Sequence, residues 1–500
     1  MSARIVKLEG SFRTPDINLL LPQDVAAPPP LAYCGTFKDF CAFCGSSDRE
    51  LQSCSGCARV RYCCKEHQQA AWSAGHKSTC GHALPKLVEV AATKGSMALL
   101  NTLSEFGAAP SLEGLTQTAL HHMGELADVS SVFMTTKGLA VLEKVFAAHA
   151  HNPEVLKRAC AAVSVTFMPT EQWMCEELTG RALQMIRAGI TDSVLRAIRT
   201  HPAHTSLTWA GLHALTLIVC AEGDPMAIQG ALIQKGTMPL VIELLFSSQC
   251  RAAEEHERVT LAGIFILERL VSCGPRDASE QLLLSSGVRV TLDALKLRFA
   301  SAELRVVCCR LLYSMVVKTG KLIHLALIRA GVPQLICELA ADMTSRKEAR
   351  AALTAISLLA LLTNGYSAAT GSKCCVDICE PEGCRAVAAA GGQRLVLDCL
   401  QTWSEKRMIK KINHFQLTME CFTVLWHVQQ SVGETAVQEI LEYNGGYKII
   451  LGGMRRYESG TYDDVVPFAL GTEVVVYSCR PQGETPSLVF AQAAKALIAA

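Results

Sequence analysis

The chain has 500 residues, with 47 basic against 46 acidic side chains and a formal charge of +1. That balance argues against a dedicated nucleic-acid binder, which carries a strong basic bias; half of the residues are hydrophobic, ample for a large core or an extended array. Many of the 23 cysteines sit in apolar runs, around Cys160, Cys220, Cys308 and Cys421, where a free thiol behaves as a small hydrophobe.

Residues 1–40 read as a tail. Met1–Gly10 carries Arg4, Lys7 and Glu9 and no apolar core, so it is not a signal peptide. A reduced setting, cytoplasmic or nuclear, with no disulfides is expected. Pro15, Pro22 and the run Pro28-Pro29-Pro30 favour an extended, partly polyproline conformation.

Within residues 41–80 eight potential metal ligands fall at paired spacing: Cys41, Cys44, Cys54, Cys57, Cys63, His67, His76 and Cys80. Cys41/Cys44 and Cys54/Cys57 are C-x-x-C pairs, in which a tight turn aims two sulfurs at one ion. Three residues separate Cys63 from His67 and His76 from Cys80, which places each pair one helical turn apart on one face. Eight ligands are what two closed tetrahedral zinc sites require, with no position open for substrate. Metal binding then supplies folding energy to a segment too small to bury a core.

With Tyr62, Gln68 and Trp72 in their places, this pattern resembles the MYND-type zinc finger. One ligand differs, because His67 stands where most members have Cys; imidazole also binds zinc. The resemblance implies an interleaved arrangement, with Cys41, Cys44, Cys63 and His67 on one ion and Cys54, Cys57, His76 and Cys80 on the other. Cys34, Cys64 and His82 are read as spare. The resemblance also implies that the finger binds short proline-rich peptides, with Gln68 and Trp72 as peptide-binding residues. The alternative is that Trp72 only packs under the zinc sites. Ala71 stands where many members carry a polar or charged residue, which bears on peptide preference. Pro28-Pro29-Pro30-Leu31-Ala32 looks like such a peptide, so the tail is either a plain linker or an occupant of the finger's own groove.

From 85 to 500 the chain reads as helical and repetitive. A Gly-centred phrase returns at Gly95, Gly138, Gly189, Gly236, Gly287, Gly331, Gly391-Gly392 and Gly445-Gly446, at intervals from 43 residues (Gly95 to Gly138) to 61 (Gly331 to Gly392). A recurring Gly between helices marks stacked helical units, where it suits a sharp turn because it tolerates positive φ. Leu156/Cys160/Val163/Phe167, Leu304/Val307/Leu311/Met315 and Leu417/Cys421/Val424/Val428 each form an apolar stripe at helical spacing. Ala203–Ala221 carries no Asp, Glu, Lys or Arg, but similar helices recur, so it is read as an interior helix and not a membrane span.

Leu327-Ile328-Arg329-Ala330-Gly331-Val332-Pro333-Gln334-Leu335-Ile336, and more loosely Leu232–Leu245, resemble armadillo repeats over about residues 90–455, with HEAT-like repeats the near alternative. The fold class expected is therefore mainly α, a small double-zinc finger followed by an armadillo/HEAT-like α-solenoid. The resemblance implies a groove that binds proteins. The Asn ladder of some armadillo members is absent, since the aligned positions are Val165, Leu217, Arg269, Ser314, Leu361 and His427. Residues 365–385, with Cys374, Cys375, Cys379 and Cys384, read as an inserted surface loop with incidental or redox-sensitive thiols in preference to a third zinc site. Residues 485–500 read as a final Ala-rich helix capping the array.

No nucleophile elbow, phosphate loop or dinucleotide fingerprint occurs. His121, His122, His149, His151, His201 and His204 are read as surface or capping residues. The function expected is a zinc-dependent protein–protein interaction adaptor or scaffold. Its partners would be proteins or Pro-rich peptides, with no small-molecule substrate, nucleic acid or membrane. The alternative is a SET-type lysine methyltransferase carrying the finger, or another modifying enzyme. Asn413-His414 is followed by Phe415-Gln416 instead of the methyl-donor segment that reading needs.

Overall fold

The computed structural model describes residues 37–41, 51–54, 60–73, 88, 91–109, 112–126, 129–167, 175–221, 224–247, 253–275, 277–297, 301–319, 321–364, 379–403, 414–433, 442, 443, 446 and 449. The proline run at 28–30, Cys34, His82, Gly445 and the C-terminal helix expected at 485–500 lie outside them. The chain divides into two compact units, one of Pro15–Leu240 and one built mainly on Val241–Ala500.

The first unit opens with strands β1 (Phe37–Cys41), β2 (Gln52–Ser53) and β3 (Val60–Tyr62), then helix α1 (Lys65–Ala71). It continues with α2 (Ser96–Phe106), α3 (Glu113–Glu125), α4 (Val129–Phe133), α5 (Thr136–Ala148) and α6 (Pro153–Val165). Helices α7 (Cys175–Arg187), α8 (Ile190–Thr200), α9 (Thr205–Val219) and α10 (Pro225–Gln234) complete it. Their starts follow local rules: Asn152 caps α6 and Asp224 caps α10 through their side chains, each with Pro at the first helical turn. Neighbours in space are three helices apart in sequence. Thus α3 packs on α6 and α6 on α9, α2 on α5 and α5 on α8, and α7 on α10.

Helix α11 (Thr237–Ser247) spans the division. The second unit holds α12 (Ala253–Cys273), α13 (Asp277–Leu284), α14 (Gly287–Leu295), α15 (Ala302–Thr319) and α16 (Lys321–Arg329). Next come α17 (Val332–Ser345), α18 (Ala349–Thr363), α19 (Pro381–Ala389), α20 (Gly392–Trp403) and α21 (His414–Val432). The period of three returns: α12, α15, α18 and α21 pack in one row, α17 on α20 and α16 on α19. Helices α5, α6, α15 and α18 are each flanked by a counterpart on both sides. Ala355, Ile356, Leu358, Leu359 and Leu362 of α18 are all buried, as expected for a helix apolar around most of its circumference.

The three expected stripes are buried throughout, on α6 and the Phe167 turn after it, α15 and α21. Cysteines on these three helices are held as neutral thiols, since burial pushes Cys160 up to about 12 and Cys308 and Cys421 well above the ordinary range. The positions aligned with the Asn ladder all lie on α6, α9, α12, α15, α18 or α21, and only Val165 and Ser314 are half-exposed. Among the described residues no single helix is long and apolar enough to cross a membrane. The segment around Ala203–Ala221 forms α9, with Leu212, Leu215 and Ile218 buried.

The glycine phrases divide into two kinds. Gly95, Gly189, Gly236, Gly331 and Gly391 have positive φ, at 73° to 94°, as the turn argument requires. Gly138 and Gly287 do not. Gly138 lies inside α5, where an added Cβ would stand 2.4 Å from the Val132 carbonyl and 2.6 Å from the Phe133 carbonyl. It is there for close approach. At Gly287 the left-handed residue is its neighbour Ser286, at φ 65°.

Several histidines reach backbone carbonyls far away in sequence within their own compact unit. His149 closes the end of α5 and is only 2% exposed, and its Nε2 lies 2.8 Å from the Gly107 carbonyl. His201 Nε2 makes the same contact with the Ala150 carbonyl at 2.8 Å, and His324 with the Leu362 carbonyl at 2.9 Å. His204 caps α9 by accepting the Leu207 N–H. Capping is the expectation from sequence, and His149 departs from a surface position because it spans 42 residues to reach its acceptor.

Of the residues read as an inserted loop at 365–385, 365–378 lie outside the described residues and 381–385 are helical. Asn364 and Cys379 form an isolated antiparallel bridge, and α19 begins at Pro381. A proline at the first helical turn is a start signal that the surrounding glycines and cysteines obscure. Cys384 is thus a buried helical residue, while Cys374 and Cys375 lie outside the described residues.

Candidate metal centre

The three strands form one sheet in the order β1-β3-β2. β1 runs parallel to β3, with Phe37 opposite Val60 and Cys41 opposite Arg61. β2 runs antiparallel to β3, with Gln52 opposite Tyr62 and Ser53 opposite Arg61. Strand direction then sorts the cysteines by backbone alone. Cys41 ends a strand parallel to β3 and so leaves toward the end that Cys63 follows. Cys54 follows the antiparallel β2 and leaves toward the opposite end.

Cys54 and Tyr62 form a small buried core, with Leu51, Cys63 and Ala71 packed against it. Immediately after β3 the chain enters α1, with Cys64 as N-cap in extended backbone. That turn brings Cys63 and His67 together, with Sγ and Nδ1 3.0 Å apart. Tetrahedral zinc with one sulfur and one nitrogen ligand has an S···N edge of about 3.5 Å, so the pair stands at hydrogen-bond distance and would open by about 0.5 Å to span such an edge. The Cys64 sulfur joins them, since the donor atoms of Cys63, Cys64 and His67 lie within 4.8 Å of one another. Ligand spacing alone leaves Cys64 spare. Its thiol is engaged by Glu66, whose carboxyl is held below the usual range by its own backbone N–H and then by Cys64.

Gln68 lies within α1, and Trp72 directly follows its last residue. Gln68 is half-buried, and Trp72, at the C-cap, is 40% exposed. Cys44, Cys57, His76 and Cys80 lie outside the described residues, and for Cys41 only the backbone is described.

A three-stranded sheet that delivers soft sulfur and nitrogen donors to the start of a short helix defines a metal-organised finger, joined in one chain to packed helices. Residues 41–80 match the family model of the MYND finger. MYND fingers bind zinc and are in general protein-interaction modules. Comparison of the whole chain with curated proteins gave no match.

Proposed function

We propose that the chain is a zinc-dependent protein–protein interaction adaptor of the cytoplasm or nucleus. In this reading Cys41, Cys44, Cys63 and His67 hold one structural zinc ion and Cys54, Cys57, His76 and Cys80 a second. Zinc closed in by four protein ligands supplies folding energy and no reaction chemistry. The observation that carries the reading is the Cys63–His67 pair, with donors 3.0 Å apart on a segment that matches the MYND finger. The strand directions support the interleaved sets, because β1 runs toward the end of β3 that Cys63 follows and β2 runs the opposite way.

The finger takes a proline-containing peptide against Gln68 and Trp72. Support comes from the 40% exposure of Trp72, more than packing beneath the metal sites would leave. The helical rows are armadillo-like repeats that hold a second protein. Their three-helix period in each unit and the left-handed glycines between successive helices at Gly189, Gly236, Gly331 and Gly391 support that assignment. Two linked weak sites gain avidity through effective concentration. The SET-type alternative needs a β-rich domain, and the described elements from Ser96 to Val432 are all helices.

The test is affinity purification of the intact chain beside Cys41→Ser/Cys44→Ser. Partners lost with the variant belong to the finger, and partners retained belong to the helices. An identical partner set from both proteins would sink the finger's role. Stoichiometric S-adenosylmethionine binding in calorimetry would sink the non-enzymatic reading.

A further inference from the structure

The entry to α19 places two cysteines side by side. Glu380 is the N-cap and Pro381 the first helical residue, so Cys379 is the residue before the cap and Cys384 the fourth of the helix. In many helices these two positions carry apolar side chains that pack across the helix entry as a hydrophobic staple. Here both carry thiols. The arrangement is held by the backbone: Cys379 bridges Asn364, the Glu380 N–H donates to the Thr363 carbonyl at 2.8 Å, and the Cys384 N–H donates to the Glu380 carbonyl at 2.9 Å. Ser431 of α21 donates its hydroxyl to the Cys379 sulfur at 3.3 Å. The Cys384 thiol reaches the Thr363 carbonyl at 3.5 Å, and it is also a hydrogen-bond neighbour of Cys379 and Ser431.

We propose that Cys379 and Cys384 are an oxidisable pair that reacts with small hydroperoxides and closes to a reversible disulfide. Exposure sets the order of events. Cys379 is half-buried and Cys384 fully buried, so a small oxidant reaches Cys379 first. Its thiolate attacks the peroxide, the O–O bond breaks, and the products are a sulfenic acid and an alcohol or water. The Cys384 sulfur then attacks the sulfenic sulfur; the S–S bond forms, the S–O bond breaks, and the departing hydroxide takes the Cys384 proton to leave as water. Two electrons pass from the two thiols to the peroxide. Burial pushes the Cys384 thiol up to about 12, which keeps it from reacting with solvent oxidants before its partner is activated.

The experiment uses the full chain, reduced, exposed to hydrogen peroxide and then alkylated under denaturing conditions. Cleavage after Glu382 separates Cys379 from Cys384 for mass spectrometry. The expected result is a Cys379–Cys384 link that dithiothreitol reverses. In Cys384→Ser the link is lost and the sulfinic acid at Cys379 rises several-fold, because the sulfenic acid has no resolving thiol. The proposal is overturned if Cys379 links instead to Cys374 or Cys375, or if Cys384 alkylates fully while Cys379 over-oxidises. Either answer is read on the unsubstituted chain, so it does not depend on the variant folding.

Discussion

His67 is the residue that tests the metal assignment most sharply, because it replaces the cysteine usual in the family it resembles. With its Nδ1 3.0 Å from the Cys63 sulfur, His67→Cys is expected to retain zinc, while His67→Ala loses about one ion per chain by elemental analysis. Buried histidines set a pH dependence. Burial holds His149 below its ordinary value of 6.5, and His213 likewise. The native side chains therefore stay neutral while the unfolded chain takes up protons. Their contribution is complete above the unfolded value and is lost as pH falls through 6.5 toward the folded value. The thermal midpoint should drop between about pH 7 and about pH 5, and less steeply in His149→Gln. A flat profile in the parent chain would contradict this. Charge is also buried in the helical rows, where Glu268 is 2% exposed and takes the Arg310 guanidinium at 3.1 Å. Arg310→Ala strands that carboxylate and should cost about 3 kcal/mol in chemical denaturation.

At the scale of the element, turns and close approaches give opposite signs for apparently similar substitutions. Ser286 sits at φ 65°, a region costly for side chains, so Ser286→Gly should raise stability by about 0.5–1 kcal/mol. Gly138→Ala puts a methyl 2.4 Å from the Val132 carbonyl and should lower stability by about 1–3 kcal/mol. Denaturant midpoints of the two variants check both. In sequence these positions belong to one repeating phrase, and nothing local separates them. What separates them is whether the preceding helix ends before the glycine or packs its carbonyls against it. The helix stripes are legible for the opposite reason: a period of 3.6 needs only the positions of apolar residues, and Leu156, Cys160, Val163 and Phe167 are buried as that spacing demands.

For the whole molecule, the finger and the helices should respond separately to metal removal. Of the described helices only α1, of seven residues, lies in the 41–80 segment. A strong zinc chelator should therefore abolish finger-dependent partners while the far-UV helical signal falls by less than about a tenth. A helical signal that collapses with the metal would show that the rows depend on it.

The sequence by itself determined the donor types at 41–80 and the helical class of the described residues from Ser96 to Val432. Each of these is written in local spacing: two residues between thiols, three or four between apolar positions. The tertiary structure decided the rest. It aligned Cys41 with the end of β3 that Cys63 follows, drew Cys64 into the donor cluster of Cys63 and His67, set His149, His201 and His324 on backbone carbonyls 38 to 51 residues away and faced Cys379 with Cys384 at a helix entry. These are contacts between backbone ends, set by strand direction and by which carbonyls packing leaves unpaired, and residue spacing within one element does not encode them.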